Sequence, residues 1–345
     1  MRISILGQRT LGGFGSAGVT RERRVCGMAR QSAAPGKDTG HVQYMKGLED
    51  IFGRCCGVEK KKAVLLDQFG VLHDGKDAYP GAIEAVDRLS RDYGLRLLIV
   101  SNSSRRSAGA LDSLEKKGFH VECIEGVITS GEVTFQKLAA RDDEFWRRRR
   151  QCVHLTWGER GAISLEDLDI HVVGRDVERA DCILAHGTEA LGMRVDGTGA
   201  EECSVDEIKG ILDVCACKAG MPMIVANPDL VTVHGSELRV MPGTLAKHYE
   251  SQGGEVHRMG KPARVIYEQA LRMLQLDPDD VIAIGDSLEH DIKGAQLMGI
   301  DSIFIGGGIH RDAAMNDSSI DPEGLEALCL EYGCSPTYAI PSFVI

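Results

Sequence analysis

The sequence has few aromatic residues, no long apolar segment and no excess of positive charge. Phe, Trp and Tyr make up 5% of its 345 residues, which gives no stacking platform for sugars or single-stranded bases. The formal net charge of −11 argues against non-specific binding to nucleic acid, because a polyanion would be repelled. No window approaches the roughly 18 uninterrupted apolar residues of a transmembrane helix. We therefore expect neither nucleic acid nor a membrane among the partners of this protein.

Cysteine is present, but its spacing lacks the pattern of a disulfide framework or a zinc site. The eleven cysteines include the adjacent pair Cys55 and Cys56 and the close pair Cys215 and Cys217. Two CxxC motifs do not occur, nor does a cluster of Cys and His with zinc spacing. An odd count in a long chain favours reduced, mostly buried thiols in an intracellular compartment. Cys215 and Cys217 could chelate a metal, but they fall inside a helical pattern, which favours packing.

The first 41 residues differ in composition from the rest of the chain. They contain six arginines and one lysine against a single acid before Asp38, with Gly, Ser, Ala and Thr between them. This composition is typical of a transit peptide for a chloroplast or a mitochondrion. A disordered basic extension without a targeting role is the alternative. A GxGxxG match at residues 13–18 precedes Asp38 at the distance of a dinucleotide site, but no helix follows it, and we attribute it to chance.

From Val42 onwards the composition is that of a globular protein with more than one domain. Of all residues, 43% are hydrophobic and 26% are charged, and the length suits two domains rather than one. A run of four arginines at residues 147–150 interrupts the alternation of strands and helices and indicates a boundary. We divide the chain into a first core segment (42–147), an inserted unit (148–255) and a second core segment with a C-terminal tail (256–345).

The alternation of strands and helices predicts a parallel sheet in the core. The unbroken apolar run at residues 63–66 is typical of a strand that is buried on both faces. Residues 95–100 predict a second buried strand, and residues 127–130 and 281–284 predict two more strands with helices between them. Strand and helix in this order are typical of right-handed βαβ units, so we predict an α/β fold.

Polar residues follow four of the predicted strands, namely Asp67, Ser101, Lys261, and Asp286 with Asp291 nearby. The carboxyl ends of parallel strands lie along one edge of a sheet, so these side chains can converge. Asp67 and Asp286 together carry negative charge that is poorly tolerated without a cation, and Mg²⁺ suits such oxygen ligands. Lys261 and Ser101 could hold phosphate oxygens by charge and hydroxyl. Asp67 would then be a nucleophile that forms an aspartyl-phosphate, which water hydrolyses.

Four segments resemble the signature motifs of the haloacid dehalogenase superfamily, in particular its subclass IIA, the NagD-like phosphatases. They are DQFGVLHDG, VSNSS, MGKPARVIYEQAL and AIGDSLEHDIKGAQLMGID, and the Asn227-Pro228-Asp229 and Pro242-Gly243 sequences also match the subclass. The resemblance spans residues 60 to 310, approximately. It implies a Rossmann-like, doubly wound parallel core with an α/β cap domain of the C2 type between motifs two and three.

The resemblance also implies individual roles and partners. The implied metal ligands are Asp67, the backbone carbonyl of Phe69, and Asp286; the implied phosphate contacts are Ser101, Asn102, Ser103 and Lys261; Asp291 would support the lysine or the metal shell. Asp67, Ser101, Lys261 and Asp291 form the expected catalytic set, with Mg²⁺ as the cofactor. We expect a small phosphorylated metabolite as the substrate and a homodimer that forms through the cap.

One position departs from the superfamily pattern Asp-x-Asp, because this chain has Asp67-Gln68-Phe69. In the family the second aspartate protonates the leaving alkoxide and later activates water, and phenylalanine can do neither. General acid–base help is worth ~10²–10⁴ in rate, so we expect slow turnover or a good leaving group. His73 and Asp74 are the candidate substitutes, but both lie beyond the tight turn. A related branch of the subclass also carries an aromatic residue at this position.

Two functions from different classes remain open. The first is a magnesium-dependent phosphatase inside an organelle; the second is a pseudo-phosphatase that binds phosphometabolites or regulates a partner, for which Phe69 is the motive. Phosphotransfer to an acceptor other than water is a third possibility. Within the cap, residues 186–189 (His-Gly-Thr-Glu) follow a strand and either face the core or form an ordinary strand-to-helix turn. The sequence does not name the substrate.

Overall fold

The structure is a computed structural model that describes residues 41–53, 58–158, 161–234 and 237–345. The predicted transit segment lies outside the described residues apart from His41, as do the GxGxxG match and the adjacent cysteines at 55 and 56. Among the described helices, none combines the length and the apolar character needed to span a bilayer.

The strands are numbered along the chain, and most of them belong to one of two sheets. They are β1 (Gln43–Tyr44), β2 (Ala63–Leu66), β3 (Arg96–Ser101), β4 (Gly126–Thr129), β5 (Gln151–Thr156), β6 (His171–Val172), β7 (Cys182–Ala185), β8 (Ala190–Leu191), β9 (Glu201–Glu202), β10 (Met223–Val225), β11 (Val231–His234), β12 (Glu237–Val240), β13 (Val256–Arg258), β14 (Val281–Gly285), β15 (Asp301–Ile305), β16 (Met315–Asn316), β17 (Ser319–Ile320) and β18 (Tyr338–Ile340).

The helices alternate with the strands over most of the chain. They are α1 (Leu48–Phe52), α2 (Ala82–Arg91), α3 (Ala110–Glu115), α4 (Ser130–Ala140), α5 (Glu144–Arg147), α6 (Val205–Ala216), α7 (Pro242–Ser251), α8 (Arg264–Leu274), α9 (Lys293–Met298), α10 (Arg311–Ala314) and α11 (Pro322–Tyr332). A π-helical turn at Leu288–Ile292 leads directly into α9.

Within the described residues, the core sheet has seven parallel strands in the order β1-β18-β15-β14-β2-β3-β4. The chain runs outward from β2 to β3 and β4 on one side, and from β14 to β15 and β18 on the other. The strand order therefore reverses between β2 and β14, and open α/β sheets bind ligands at the carboxyl ends of their strands at such a point. This topology confirms the predicted Rossmann-like, doubly wound core.

Strand β2 is buried on both faces because helices cover the core sheet on both sides. Successive side chains of a strand point to opposite faces. Val64 and Leu66 accordingly pack in one apolar cluster with side chains of α2, whereas Ala63 and Leu65 pack in another with side chains of α8. The unbroken apolar run therefore has the environment that its composition predicts.

The second sheet forms the cap, with strand order β13-β10-β7-β5-β8-β9 and with β6 beside β5. Strands β8 and β9 are antiparallel to their neighbours and the others are parallel. Strand β13 pairs with β10, so the cap sheet extends to Arg258 and the core boundary predicted at residue 256 is three residues early. A three-residue strand carries no local signal of the sheet that it joins, because its register partners are distant in sequence.

The C-terminal segment, predicted to be a tail, completes the core sheet. Strand β18 pairs with β15 on one side and with β1 on the other, and α11 precedes it. The two terminal parts of the described chain thus meet at one edge of the core.

The cap and the core share apolar packing and polar contacts. One buried cluster contains Leu65 of the core together with Leu184 and Ile224 of the cap. The indole nitrogen of Trp157, which follows β5 of the cap, donates a hydrogen bond of 3.0 Å to Ser104 Oγ, which follows β3 of the core. The cap is therefore packed directly against the loop that follows β3.

Candidate active site

Three neighbouring strands end at one edge of the core sheet and place three polar side chains there. Asp67 directly follows β2, Ser101 is the last residue of β3, and Asp286 directly follows β14. Leu66, the residue before Asp67, pairs with Ile99 of β3 and with Ile284 of β14. The carboxyl ends of the three strands therefore lie side by side, to within one residue. The convergence that the sequence predicts for these residues is present in the fold.

Lys261 is buried between two carboxylates at this edge. Its Nζ lies 2.5 Å from Oδ1 of Asp67 and 2.8 Å from Oδ1 of Asp291, and its side chain is 4% exposed. Burial lowers the pKa of Lys261, but the charges of Asp291 and Asp67 together raise it above its ordinary value. The lysine is therefore a fixed positive charge beside Asp67.

The carboxylates of Asp67, Asp286 and Asp291 form a cluster in which the potential ligand oxygens lie within 4.8 Å of one another. Burial raises the pKa of Asp67 to about 7. Burial also raises the pKa of Asp286 well above its ordinary value, with a further contribution from the charges of Asp67 and Asp291. When all three carboxylates are ionised, they and the ammonium of Lys261 leave two negative charges in excess. This donor set and this charge fit a divalent cation that prefers oxygen, such as Mg²⁺.

Two glycines provide the space that the Asp286 carboxylate occupies. A Cβ atom on Gly70 or on Gly308 would clash with this carboxylate, and Gly70 also has a φ of +80°, which other residues rarely adopt. The N–H of Ile309 donates a hydrogen bond of 2.8 Å to Asp286 Oδ2. The loop at 306–309 is not among the site residues predicted from the sequence; the signal for it is the run of three glycines directly after a strand.

Asp291 is held by the π-helical turn that follows β14. Its Oδ1 accepts from Lys261, and its Oδ2 accepts from the backbone N–H of Ser287 at 3.2 Å. A Cβ atom on Gly285 would clash with the Asp291 side chain. The local sequence Gly-Asp-Ser therefore allows Asp291 to approach the lysine closely.

The loop after β3 connects the lysine to the cap through Asn102. Its Oδ1 accepts from the backbone N–H of Lys261 at 2.7 Å, and its Nδ2 donates to Asp229 Oδ1 at 2.8 Å. The Ser101 hydroxyl accepts from the N–H of Ser103 at 3.3 Å, so it is turned toward its own loop. Of the three residues predicted to contact phosphate here, the structure places Asn102 beside Lys261, and the contact of all three with phosphate stays a prediction. Asp229, a residue of the Asn227-Pro228-Asp229 motif that is not among the predicted site residues, joins this network.

The side chain of Phe69 is 55% exposed beside the site, and its ring packs edge-on against His73 with centroids 4.8 Å apart. His73 is buried, its Nδ1 accepts from the N–H of Gly75 at 3.0 Å, and burial lowers its pKa to about 4. Hydrogen bonds from two N–H groups of the following turn lower the pKa of Asp74. Both residues considered as substitutes for the missing aspartate are therefore engaged in the turn itself.

In the cap, residues 186–189 form a turn between β7 and β8 rather than between a strand and a helix. His186 is buried, and its Nδ1 lies 3.2 Å from Nε2 of His154, which is also buried. Thr188 Oγ1 donates to the backbone carbonyl of Val240 at 3.0 Å. These contacts give the segment a role in the packing of the cap.

The buried histidine pair should make the protein less stable in mild acid. Burial lowers the pKa of His154 to about 3 and that of His186 well below its ordinary value. The unfolded chain then binds more protons than the folded one below about pH 6.5, so the unfolding free energy falls as the pH drops from there toward about 3. Each histidine contributes up to ~1.4 kcal/mol per pH unit. In urea unfolding, the free energy of unfolding should decline less from pH 7 to pH 5 in His186→Gln than in His171→Gln, an exposed control. An equal decline in the two variants would contradict this assignment.

Comparison with known proteins identifies the family. Two family models match: a haloacid dehalogenase-like hydrolase model at residues 64–171 and a HAD-hydrolase-like model at residues 258–325. The phospholysine phosphohistidine inorganic pyrophosphate phosphatase of Bos taurus is 26% identical over 279 residues, which cover 76% of this chain and 89% of that protein. A haloacid dehalogenase-like hydrolase from Brucella suis 1330 has a similar structure, with a TM-score of 0.66, 26% identity, and coverage of 87% of this chain and 100% of the other.

The two matched segments contain the clustered carboxylates and Lys261, and the chain belongs to the haloacid dehalogenase-like hydrolases. Its fold resembles that of subclass IIA, the NagD-like group. The fold is similar to that of NagD from E. coli K-12, with a TM-score of 0.58 at 21% identity and coverage of 82% of this chain and 96% of the other.

Proposed function

We propose that the protein is a magnesium-dependent phosphatase that hydrolyses the phosphate monoester of a small metabolite through a phosphorylated Asp67. The observation that carries this proposal is the contact between the Asp67 carboxylate and the buried Lys261 ammonium, beside two further carboxylates at the strand ends. The name of the Bos taurus relative, a phosphatase, supports the same class of reaction.

In the proposed reaction, Asp67 attacks phosphorus while the bond to the leaving oxygen breaks, and water then hydrolyses the acyl phosphate. Lys261 offsets the repulsion between the carboxylate and the phosphate oxygens, and Asp291 holds Lys261 in place. Asn102 fixes the backbone at Lys261, and the loop of Ser101 and Ser103 would contact phosphate oxygens. Held by Asp67, Asp286 and the backbone carbonyl of Phe69, Mg²⁺ would supply further neutralisation of charge.

Removal of divalent metal should abolish phosphate release, and addition of Mg²⁺ should raise the melting temperature. The reason is that Mg²⁺ neutralises the two excess negative charges of the cluster, and a ligand at 100 times its dissociation constant stabilises a fold by ~2.7 kcal/mol. Thermal melting with EDTA and with Mg²⁺ measures this effect. Asp286→Asn should lose most of the response, whereas Asp312→Asn, an exposed control, should keep it. An equal response of both variants would show that Mg²⁺ binds elsewhere.

The second candidate is a pseudo-phosphatase that binds a phosphometabolite without turning it over. The exposed phenyl ring of Phe69, at the position where the family carries its second aspartate, favours this function. A panel of phosphorylated metabolites assayed with and without Mg²⁺, together with calorimetric binding to the same compounds, separates the two. Tight binding of one compound without release of phosphate would support the pseudo-phosphatase.

The proposal extends to the location and assembly of the protein. The Arg-rich composition of residues 1–41 supports import into a chloroplast or a mitochondrion, and a fusion of that segment to a fluorescent protein tests it. We also propose a homodimer that forms through the cap, which light scattering of the purified protein tests.

A further inference from the structure

We propose that the protein, provided that it is the phosphatase proposed above, acts on phosphate esters whose leaving oxygen is weakly basic, such as those of phenols and enols. Esters of sugar and nucleoside alcohols would be poor substrates for the same site. This inference concerns the leaving group, which the family assignment alone does not fix.

The first argument concerns the proton that the leaving oxygen requires. When Asp67 forms its bond to phosphorus, the bond between phosphorus and the ester oxygen breaks and the electron pair stays on that oxygen. An alkoxide is strongly basic and leaves readily only if a group of the protein donates a proton to it. The negative charge of a phenolate or an enolate is delocalised, so such a group leaves without receiving a proton. A site with no proton donor thus selects weakly basic leaving groups.

The second argument concerns the groups next to Asp67 that could donate this proton. The side chain two positions after Asp67 is that of Phe69, which has no proton to donate. His73 lies buried under this ring, and its Nδ1 already accepts the N–H of Gly75. The carboxylate of Asp74 accepts two N–H groups of its own turn. The side chains of His73 and Asp74 are therefore engaged in holding the turn.

Asp229 is the rival donor that the structure offers. It lies beside the loop after β3, where its Oδ1 accepts from Asn102 Nδ2 at 2.8 Å and lies 3.6 Å from Nδ1 of His290. Asn102 in turn is fixed to the backbone of Lys261. These contacts point Asp229 at the loop that would hold the non-bridging phosphate oxygens, so we assign it to the positioning of Asn102. The test below includes it as the alternative.

The third argument is the apolar character of the surface around Asp286. Phe69 is 55% exposed and Ile309 is 71% exposed. Their backbones lie beside the Asp286 carboxylate, because Gly70, the neighbour of Phe69, packs against Asp286 and the N–H of Ile309 donates to it. Exposed apolar side chains on these two loops suit a planar, apolar leaving group better than a ring that carries many hydroxyls.

The test is a series of phosphate esters with leaving groups of increasing basicity, from nitrophenyl through phenyl and methoxyphenyl to a simple alkyl ester and a sugar phosphate. The quantity measured is kcat/KM, because it reports the steps up to transfer of phosphate to Asp67 and not the later attack of water. We expect kcat/KM of the wild type to fall steeply along the series. Phe69→Asp should restore a donor and raise kcat/KM of the alkyl ester by about 10²-fold or more, with little gain for the nitrophenyl ester.

Matched variants assign the effect to particular side chains. Phe69→Leu removes the ring without adding a proton donor. In this variant kcat/KM should still fall steeply as the leaving group becomes more basic. In Asp229→Asn, kcat/KM should fall along the series as steeply as in the wild type. A steeper fall in this variant would identify Asp229 as the proton donor and overturn the proposal. Ile309→Ser should raise KM for phenyl phosphate by about tenfold relative to acetyl phosphate, which has no aromatic body. An equal change for both compounds would remove the argument from the apolar surface.

The outcomes distinguish this inference from the proposed function. If no ester of the series releases phosphate, including the nitrophenyl ester, the phosphatase function itself fails. If phosphate is released but kcat/KM of the wild type varies little along the series, a proton donor is present and only the leaving-group inference fails. The wild-type series gives this answer even if Phe69→Asp does not fold.

Discussion

Replacement of Asp67 by Asn should abolish phosphate release, with a loss in kcat on the order of 10⁴-fold or more. An amide is a very poor nucleophile, and the contact between Asp67 and the Lys261 ammonium would lose its charge. The measurement is phosphate release from a nitrophenyl ester in the presence of Mg²⁺.

The fold should survive this substitution. Burial and the neighbouring charge of Asp291 raise the pKa of Asp67 and so disfavour its ionised form in the absence of metal, and Asp291 still pairs with Lys261 when Asp67 is replaced. The unfolding free energy of Asp67→Asn without Mg²⁺ should therefore be no lower than that of the wild type. Asp77→Asn, an exposed carboxylate of the same loop, is the matched control and should keep full activity. A variant at Asp67 that retained the wild-type rate would place the nucleophile elsewhere.

Replacement of Lys261 by Met should have the largest effect on stability. The ammonium is buried between Asp67 and Asp291, and its removal leaves buried carboxylates without their counter-charge. Breaking a buried ion pair by removal of one partner costs about 3–5 kcal/mol. Urea unfolding at neutral pH without metal measures the loss, and phosphate release should fall to background in the same variant.

Lys293→Met is the matched control for this substitution. Lys293 Nζ donates to the backbone carbonyl of Tyr332 at 3.0 Å. Its replacement therefore removes a partly buried lysine but takes no counter-charge from a buried carboxylate. Mg²⁺ should recover part of the stability lost in Lys261→Met, because a cation at the cluster replaces some of the missing charge. Equal destabilisation by the two substitutions would show that the Lys261 contacts add little to the fold.

The core fold was predictable because the sequence features that mark its central strands lie close together in the chain. The apolar run of β2 and the polar residue directly after it are adjacent in sequence, and each predicts burial or a strand end without reference to the rest of the chain. Parallel strands then place such ends on one edge, which was enough to bring Asp67, Ser101 and Asp286 together. The edge strand β1 and its neighbour β18 escaped prediction because they have two and three residues and pair across almost the whole described chain.

The candidate site was predictable at the strand ends and less so around them. Asp229 reaches Asn102 from the cap, and Ile309 reaches Asp286 from a loop after β15. Neither contact has a periodic pattern in the sequence, because each depends on how separate segments pack. The substitution at Phe69 was visible in the sequence, but the burial of His73 beneath the ring was not, since it depends on the shape of the turn.

The indole contact between Trp157 and Ser104 gives the protein a fluorescence probe of its own. The sequence contains two tryptophans, Trp146 and Trp157, and both are buried. A cap that swings away from the core would break the hydrogen bond of Trp157 to the loop after β3 and expose its ring to water. Indole emission moves to longer wavelength in water, so the opening of the cap can be followed in the unlabelled protein. Trp157→Phe would assign the signal.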